Sequence, residues 1–567
     1  MKIIKLLKAL ENKLFVKSIF IVVLMILGSI LEMIGISLIV PFLKILSNID
    51  ISEQYVIIFD MFIDFKNSEK EEILFKICIL IGLVFSIKIL FLIYINFIQL
   101  KFIQRFHQIL GKILISIYLA RPLKYFLTKN SSFFLRNLST ELTLMSSSII
   151  NFGLIILESL ILFFIFGFLL FYSPKITIFL IFIFSTFMII YIKITKKKIV
   201  NWGNERHASE ESKIKILKET LTFVREIRLY NLEKNFISTF EKSNKKFSQS
   251  MLNHNFIQLI VKYNLELLFV LLLLIFVNLT KITENFSEVV PTIGLYVGSA
   301  FRILPSLNRI INSYQQIKYI DPVMNNFLND ILESKSNLLI NKSLKLNFEN
   351  KINFNNVSFS HTNSKPLFEN LNIEITKGDF VGVVGDSGIG KSTFLDLISG
   401  FIKVSKGEIK VDNKHNIFDN LNNWQNNIGY LPQNNIILDD SLINNILLYS
   451  ENEADMARLN EVIEISGLIE IVKNLPDGLN TTLGENGNRL SGGQKQRLGI
   501  ARTLYSDKSI LLFDEATNAL DENTNFQIIK KLKKYCKEKN KTIIFVSHNS
   551  SIEKNVDKII NLNKKVS

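Results

Sequence analysis

The sequence predicts a multi-domain membrane protein: a six-helix, all-α transmembrane domain followed by a C-terminal α/β P-loop domain. Three observations carry that prediction. Six apolar runs, each long enough to cross a bilayer, crowd the first part of the chain. Polar, Asn/Ser/Lys-rich sequence then intervenes. From Lys351 onward, strand-like and helical stretches alternate around one glycine-rich loop. At 567 residues the chain also exceeds what a single hydrophobic core holds.

The apolar runs are Ser18–Val40, Ile73–Leu100, Ile149–Tyr172, Ile176–Ile194, Phe256–Leu279 and Val289–Ile311. About 20 helical residues span the roughly 30 Å of hydrocarbon in a bilayer. Charge between the runs is unequal. Lys101–Ser148 carries Lys101, Arg105, Lys112, Arg121, Lys124, Lys129 and Arg136, and Thr195–Asn255 opens with Lys196, Lys197 and Lys198. The short connections Ser173–Lys175 and Thr280–Glu288 hold one Lys each, and Pro41–Glu72 is rich in Asp and Glu, with a short amphipathic pattern at Gln54–Phe65. Because basic residues accumulate on the cytoplasmic side, both termini and both long basic segments are expected there. The net charge of +15 is then a consequence of topology, and no nucleic-acid partner is expected.

Both basic segments read as helices continuing out of the membrane, each broken by a short transverse helix, at Arg121–Phe126 and Val224–Leu232. Met1–Lys17 alternates leucine and lysine at helical spacing and reads as an interfacial helix on the inner leaflet. Two cysteines, Cys78 and Cys536, suit neither a metal site nor a disulfide framework. The expected domains are an interfacial helix over 1–17, a transmembrane domain over 18–325, a linker over 326–345 and the α/β domain over 346–567.

The α/β part contains the chemistry. Gly385–Ser392 (GDSGIGKS) sits between a strand and a helix and meets the GxxxxGK[ST] pattern through Gly385, Gly390, Lys391 and Ser392. Glycines let successive N–H groups converge on phosphate oxygens, and the following helix adds positive potential. Lys391 is expected on the β- and γ-phosphates and the Ser392 hydroxyl on Mg²⁺. Ser509–Glu515 (SILLFDE) is an apolar strand ending in two carboxylates. Asp514 suits the Mg²⁺-directed position, and Glu515 a base that polarises the attacking water.

Between them lies LSGGQKQRLGIARTLY, Leu490–Tyr505. This resembles the signature of ABC ATPases, and other elements of that family stand around it in order. Gln433 in YLPQNN resembles the Q-loop, Glu485 in TTLGENG the exporter X-loop, Ala519–Asp521 the D-loop and His548 in FVSHNS the switch histidine. The resemblance implies ATP and Mg²⁺ as cofactors, with Asp386, Ser387, Gly388, Ile389 and Thr393 completing the phosphate loop. It implies Ser392, Gln433 and Asp514 around the metal, and Glu515, Gln433 and His548 in hydrolysis. The family usually stacks an aromatic residue on adenine where VSFSH here places His361, whose imidazole offers less area. The resemblance further implies that Ser491, Gly492, Gly493 and Gln494 of one subunit close over ATP held by a second copy, so a homodimer is expected.

For cargo, the residues single out Lys88, Lys262, Arg302 and Arg309, charged positions within or at the ends of spans and accompanied by Glu32, Glu158 and Glu266. Charge inside a bilayer costs roughly 2.5–3.5 kcal/mol per residue on insertion scales, so it is seldom idle. Internal ion pairing is one reading; a cationic belt for an anionic head group is the other. Gly298–Tyr319 resembles the corresponding part of the bacterial lipid-linked oligosaccharide flippases of protein glycosylation. That implies a polyprenyl-pyrophosphate-linked glycan moved across the bacterial cytoplasmic (inner) membrane, with membrane lipids as surroundings and the ATPase domain in the cytoplasm. A peptide or bacteriocin exporter, or an exporter of lipid A or drugs, would share this architecture.

Overall fold

The structure is a computed structural model that describes residues 2–10, 12–38, 42, 70–280, 286–338, 347–360, 366–448, 454–547 and 555–563. The chain divides into two compact units near Leu338.

The first unit is helical: α1 (Lys2–Leu10), α2 (Asn12–Ser37), α3 (Lys70–Leu119), α4 (Leu123–Thr128), α5 (Ser131–Arg136), α6 (Leu142–Tyr172), α7 (Pro174–Thr222), α8 (Val224–Leu229), α9 (Glu233–Thr280), α10 (Phe286–Tyr319) and α11 (Asp321–Leu338). Among the described residues, five helical stretches are long and apolar enough to cross a membrane, in α2, α3, α5–α6, α7 and α9. The sixth expected span lies in α10, which at 34 residues is long enough but carries Arg302, Arg309 and several amides. Lipid as solvent explains why Leu90, Phe97, Phe163, Phe171 and Phe182 stand exposed along these helices.

At 1.5 Å per residue, α3 with 50 residues, α7 with 49 and α9 with 48 run far beyond the bilayer. They are the expected continuations of the spans. Pro122 follows the end of α3, where proline disfavours helix in the residue before it, and α4 starts directly after. The short helices α4 and α8 fall where the sequence places its two breaks.

Two expectations need correction. The apolar face of α1 does not lie open to the leaflet: Ile3, Leu6 and Leu7 are buried in a core shared with Phe106, Leu110 and Leu114 of α3 and with Val323 and Phe327 of α11. Amphipathic periodicity cannot distinguish a lipid surface from a protein groove. The segment read as linker from 326 is helical as far as Leu338, with Phe327, Leu328 and Ile331 in the same core. Its Asn- and Ser-rich outer face hid an apolar stripe at Val323, Phe327 and Ile331. The amphipathic pattern at Gln54–Phe65 lies outside the described residues.

The second unit holds two sheets. An antiparallel one runs in the order β2 (Phe368–Thr376), β1 (Lys351–Phe359), β4 (Lys406–Val411), β5 (His415–Asn416). A parallel one runs β6 (Ile428–Leu431), β7 (Ile510–Asp514), β8 (Thr542–Val546), β3 (Phe380–Val384), β9 (Lys558–Asn561). Strands β7 and β8 are buried at every position, as expected of parallel strands covered on both faces. Because these strands are parallel, their carboxyl ends share one edge, and the residues following β3, β6, β7 and β8 are gathered there.

Candidate functional site

The loop after β3 leads into α12 (Lys391–Ile398). Gly388 and Gly390 adopt φ of 81° and 102°, a left-handed backbone that favours glycine. A Cβ at Gly388 would meet nothing within 4 Å, so the loop keeps open space on that side, as a phosphate cradle requires. The Lys391 ammonium donates to the carbonyls of Gly385, at 2.8 Å, and Asp386, at 3.0 Å. Burial lowers its pKa, opposed by the carboxylates of Glu515, Asp386 and Asp514. Backbone N–H groups, a helix N-terminus and a cation therefore meet at one place, which is the chemistry of a phosphate site.

Asp514 closes β7 and is buried, whereas Ser392 is exposed at the start of α12. With Gln433 they offer oxygen donors only, which suits a hard cation such as Mg²⁺. Two neighbours escaped the sequence reading. The Tyr430 hydroxyl hydrogen-bonds Asp514, and burial with that carboxylate pushes the phenol well above its ordinary pKa. Burial and Asp514 also push the Asp396 carboxyl up to about 6.

Glu515 adopts φ of 53°, left-handed backbone unusual for a non-glycine residue and a form of local strain found at functional sites. The Glu515 N–H donates to the Val546 carbonyl at 3.2 Å, and the Gln496 side chain donates to the Glu515 carbonyl at 3.4 Å. The side-chain amides of Gln433 and Asn518 each donate to the carboxylate at 2.7 Å. A carboxylate so aimed by two amides is positioned to polarise water. Gln496 and Asn518 were not anticipated, although both lie inside the motifs GGQKQR and ATNALD.

The signature opens α13 (Gly492–Tyr505), with Ser491 as N-cap and Gln494 completing a reciprocal capping box. Ser491 and Gly492 are exposed, and a Cβ at Gly493 would come within 2.9 Å of the Ala519 carbonyl. Glycine thus lets the D-loop approach this helix. Asp386, Ser387 and Ile389 lie in the loop, Thr393 in the first turn of α12 and Glu485 in a short 3₁₀ turn. His361 and His548 lie outside the described residues.

In the helical unit the four cations selected as cargo ligands part company. Lys88 is buried and reaches Glu32 at 3.2 Å. Arg302 approaches Glu32 at 3.2 Å and Glu158 at 3.4 Å. Arg309 pairs with Glu158 at 2.6 Å, and Ser306, one turn above Arg302, donates to the same carboxylate at 2.7 Å. Residues 302, 306 and 309 share the face of α10 that meets α6. Lys262 stands apart on α9, exposed and 3.9 Å from Glu266, and lines a cavity of about 350 Å³ with Phe269, Phe301 and Asn308. Ion pairing, rather than an open belt, therefore describes Lys88, Arg302 and Arg309, with one positive charge in excess over the two carboxylates.

A second buried network went unread because each of its charges looked like part of a solvated helix face. Glu141, fully buried, accepts from Arg206 at 2.9 Å and lies 2.7 Å from His207 Nδ1, and Arg206 also pairs with Glu210 at 2.7 Å. Arg136 joins through Glu211 and the His207 carbonyl. One turn before Arg206, Gly203 lets α7 approach the end of α10, since a Cβ there would meet the Tyr319 carbonyl at 2.2 Å.

Comparison with known proteins matches residues 18–280 to the ABC transporter transmembrane region and residues 368–518 to the ABC transporter ATPase. The alpha-hemolysin translocation ATP-binding protein HlyB of Escherichia coli O157:H7 is 29% identical over 398 residues, 69% of this chain and 55% of that protein. An ATP-dependent lipid A-core flippase of Cupriavidus pinatubonensis is 37% identical over 211 residues, 36% of this chain and 35% of the flippase. The chain thus spans about half or less of the length of these relatives. A solved structure of a bacterial Atm1-family ABC exporter with ATP bound superposes with a TM-score of 0.76 at 17% identity, covering 98% of this chain and 95% of that one. The chain belongs to the ABC transporters and joins their transmembrane region to an ATP-binding cassette.

Proposed function

We propose that two copies of this chain form an ATP-driven exporter in the bacterial inner membrane that moves an anionic lipid-linked cargo, with a polyprenyl-pyrophosphate-linked oligosaccharide as the expected class. ATP lies in the Gly385–Thr393 loop, with Lys391 on its phosphates, and Ser491–Gln494 of the second copy closes over it. The exposed, capped N-terminus of α13 supports that pairing. Ser392, Asp514 and Gln433 hold Mg²⁺, which when bound neutralises phosphate charge. Glu515, aimed by Gln433 and Asn518, accepts the proton of the attacking water. His548 contributes a γ-phosphate contact, as the family resemblance implies, and His361 stands at the adenine position.

The observation that carries the cargo reading is the surplus cation among Lys88, Arg302 and Arg309 against Glu32 and Glu158, inside a unit that spans the bilayer. An anionic head group can displace Glu158 from Arg309, whose side chain is half exposed, without leaving any charge bare. Transport of a fluorescent pyrophosphate-linked lipid by proteoliposomes tests this. Arg302→Ala combined with Arg309→Ala is expected to stop flipping while ATP hydrolysis continues. Normal flipping by that variant would remove the anionic-cargo reading. A polypeptide cargo is the second reading, favoured by the 398-residue match to the hemolysin translocator. Peptide-stimulated ATP hydrolysis with no response to pyrophosphate lipids would establish it instead.

A further inference from the structure

Where α2 enters the membrane beside α3, a cleft of about 1000 Å³ is lined by Lys17, Lys101 and Arg105 together with Phe20, Ile21 and Phe97. These three cations are exposed and form no ion pair with any described residue. From Phe75 to its end, α3 contains no carboxylate at all. A second cavity of about 270 Å³, lined by Met25, Gln99, Ile149 and Ile156, meets the cleft at Ile21 and Phe102 and lies on the opposite face of α3.

The two antiparallel helices impose the same gradient. Reading α2 forward, Lys17 precedes Phe20 and Ile21; reading α3 backward, Arg105 and Lys101 precede Ile98 and Phe97. Cations thus occupy the cytoplasmic mouth of the cleft, and apolar side chains line it beyond them. That is the order of groups along a glycerophospholipid, phosphate before acyl chain.

We propose that this cleft holds an anionic phospholipid of the inner leaflet, with its phosphate on Lys17, Lys101 and Arg105. The site is separate from the Glu32–Glu158 network and does not depend on what the exporter carries. Basic residues at a membrane surface attract anionic lipid with about 1 kcal/mol each, roughly fivefold in affinity.

The test uses the full-length chain in nanodiscs of phosphatidylglycerol or phosphatidylcholine, followed by native mass spectrometry of lipid retained on release. The parent is expected to retain phosphatidylglycerol in preference to phosphatidylcholine. Lys101→Gln with Arg105→Gln is expected to reduce that preference roughly 20- to 30-fold. Lys17→Gln alone, a milder change, is expected to reduce it about fivefold. Lys101→Arg, which keeps the charge, is expected to leave the preference unchanged. Equal retention of the two lipids by the parent overturns the proposal, as does retention unaffected by either glutamine variant. Displacement of the lipid by millimolar inorganic phosphate would show a free-anion site and also overturn it. Absence of bound lipid, with the groove protected by a second copy, would assign it to the dimer interface instead.

Discussion

In the cassette, the phosphate loop is eight consecutive residues, Gly385–Ser392, whereas the membrane unit draws Glu32, Lys88, Glu158, Arg302 and Arg309 from four different helices. The first site is almost settled by local backbone preference, since glycine spacing dictates the turn and the helix N-terminus follows. The second exists only once α2, α3, α6 and α10 pack together. The cassette keeps Ser392, Gln433 and Ser491 exposed beside buried Lys391 and Asp514, while the membrane unit buries charge where each ion must find a counter-ion.

The largest expected effect falls in the cassette. Glu515→Gln should retain ATP binding and lose hydrolysis by roughly 10²–10⁴-fold, because only the base is removed. Lys391→Ala should lose nucleotide binding itself. Radiolabelled ATP binding and phosphate release, measured in parallel, separate the two; near-parent turnover in the glutamine variant would end the base assignment.

The next effect tests the buried network. Glu158→Gln leaves Arg302 and Arg309 without their shared anion, and breaking a buried pair costs about 3–5 kcal/mol. A thermal melt of the purified protein in detergent should show this as a large drop in midpoint. An unchanged midpoint would mean that these arginines are solvated and that the two sites differ less than their geometry indicates.

Gln433→Ala comes third. Losing one of the two amides on the Glu515 carboxylate should lower kcat roughly ten- to hundredfold with a smaller change in KM for ATP. If Asn518 holds the carboxylate unaided, kcat will hardly move, and the Asn518→Ala variant will show the loss instead.

The smallest effect is the exposed counterpart of the Glu158 network. In the cassette, Asp507 pairs with Lys541 at 2.9 Å and Arg458 at 3.1 Å, and it is half exposed. Burial acts to raise its pKa, but the hydrogen bond and charge of Lys541, with Arg458, outweigh that and hold it below the ordinary carboxylate value. Its stabilisation is therefore present above the unfolded carboxylate pKa and is lost as pH falls through the depressed folded value. Asp507→Asn should cost at most about 1 kcal/mol at pH 7. The difference from the parent should shrink below about pH 4. A cost equal to that of Glu158→Gln would erase the contrast between exposed and buried pairs.

Legibility followed the same division. The P-loop, the carboxylates of Asp514 and Glu515, and the capped signature at Ser491 each stand where their motifs place them, because each motif is a strand end, a turn or a helix start. Gln496 and Asn518, inside those motifs, were passed over because their roles depend on contacts between separate segments. In the helical unit, the five membrane-long apolar stretches among the described residues, and the helix α10, follow from the length of apolar runs, and the two short helices follow from breaks between them. What α1 packs against did not follow, because one apolar stripe serves lipid and protein equally well. Nor did the helical, packed state of Asp321–Leu338, where composition argued for linker and tertiary burial of Val323 and Phe327 prevailed.

By itself, then, the sequence determined the division into a membrane half and a cassette, the positions of the spans and the nucleotide-site motifs, since all depend on short-range periodicity and backbone conformation. Only the tertiary structure decided that Arg302 and Arg309 converge on Glu158, that Arg206 and His207 surround Glu141, and that Gln433 and Asn518 aim Glu515. Those pairings join residues far apart in the chain. No local preference encodes a partner on another helix; that choice is made when burial leaves each charge no other way to be neutralised.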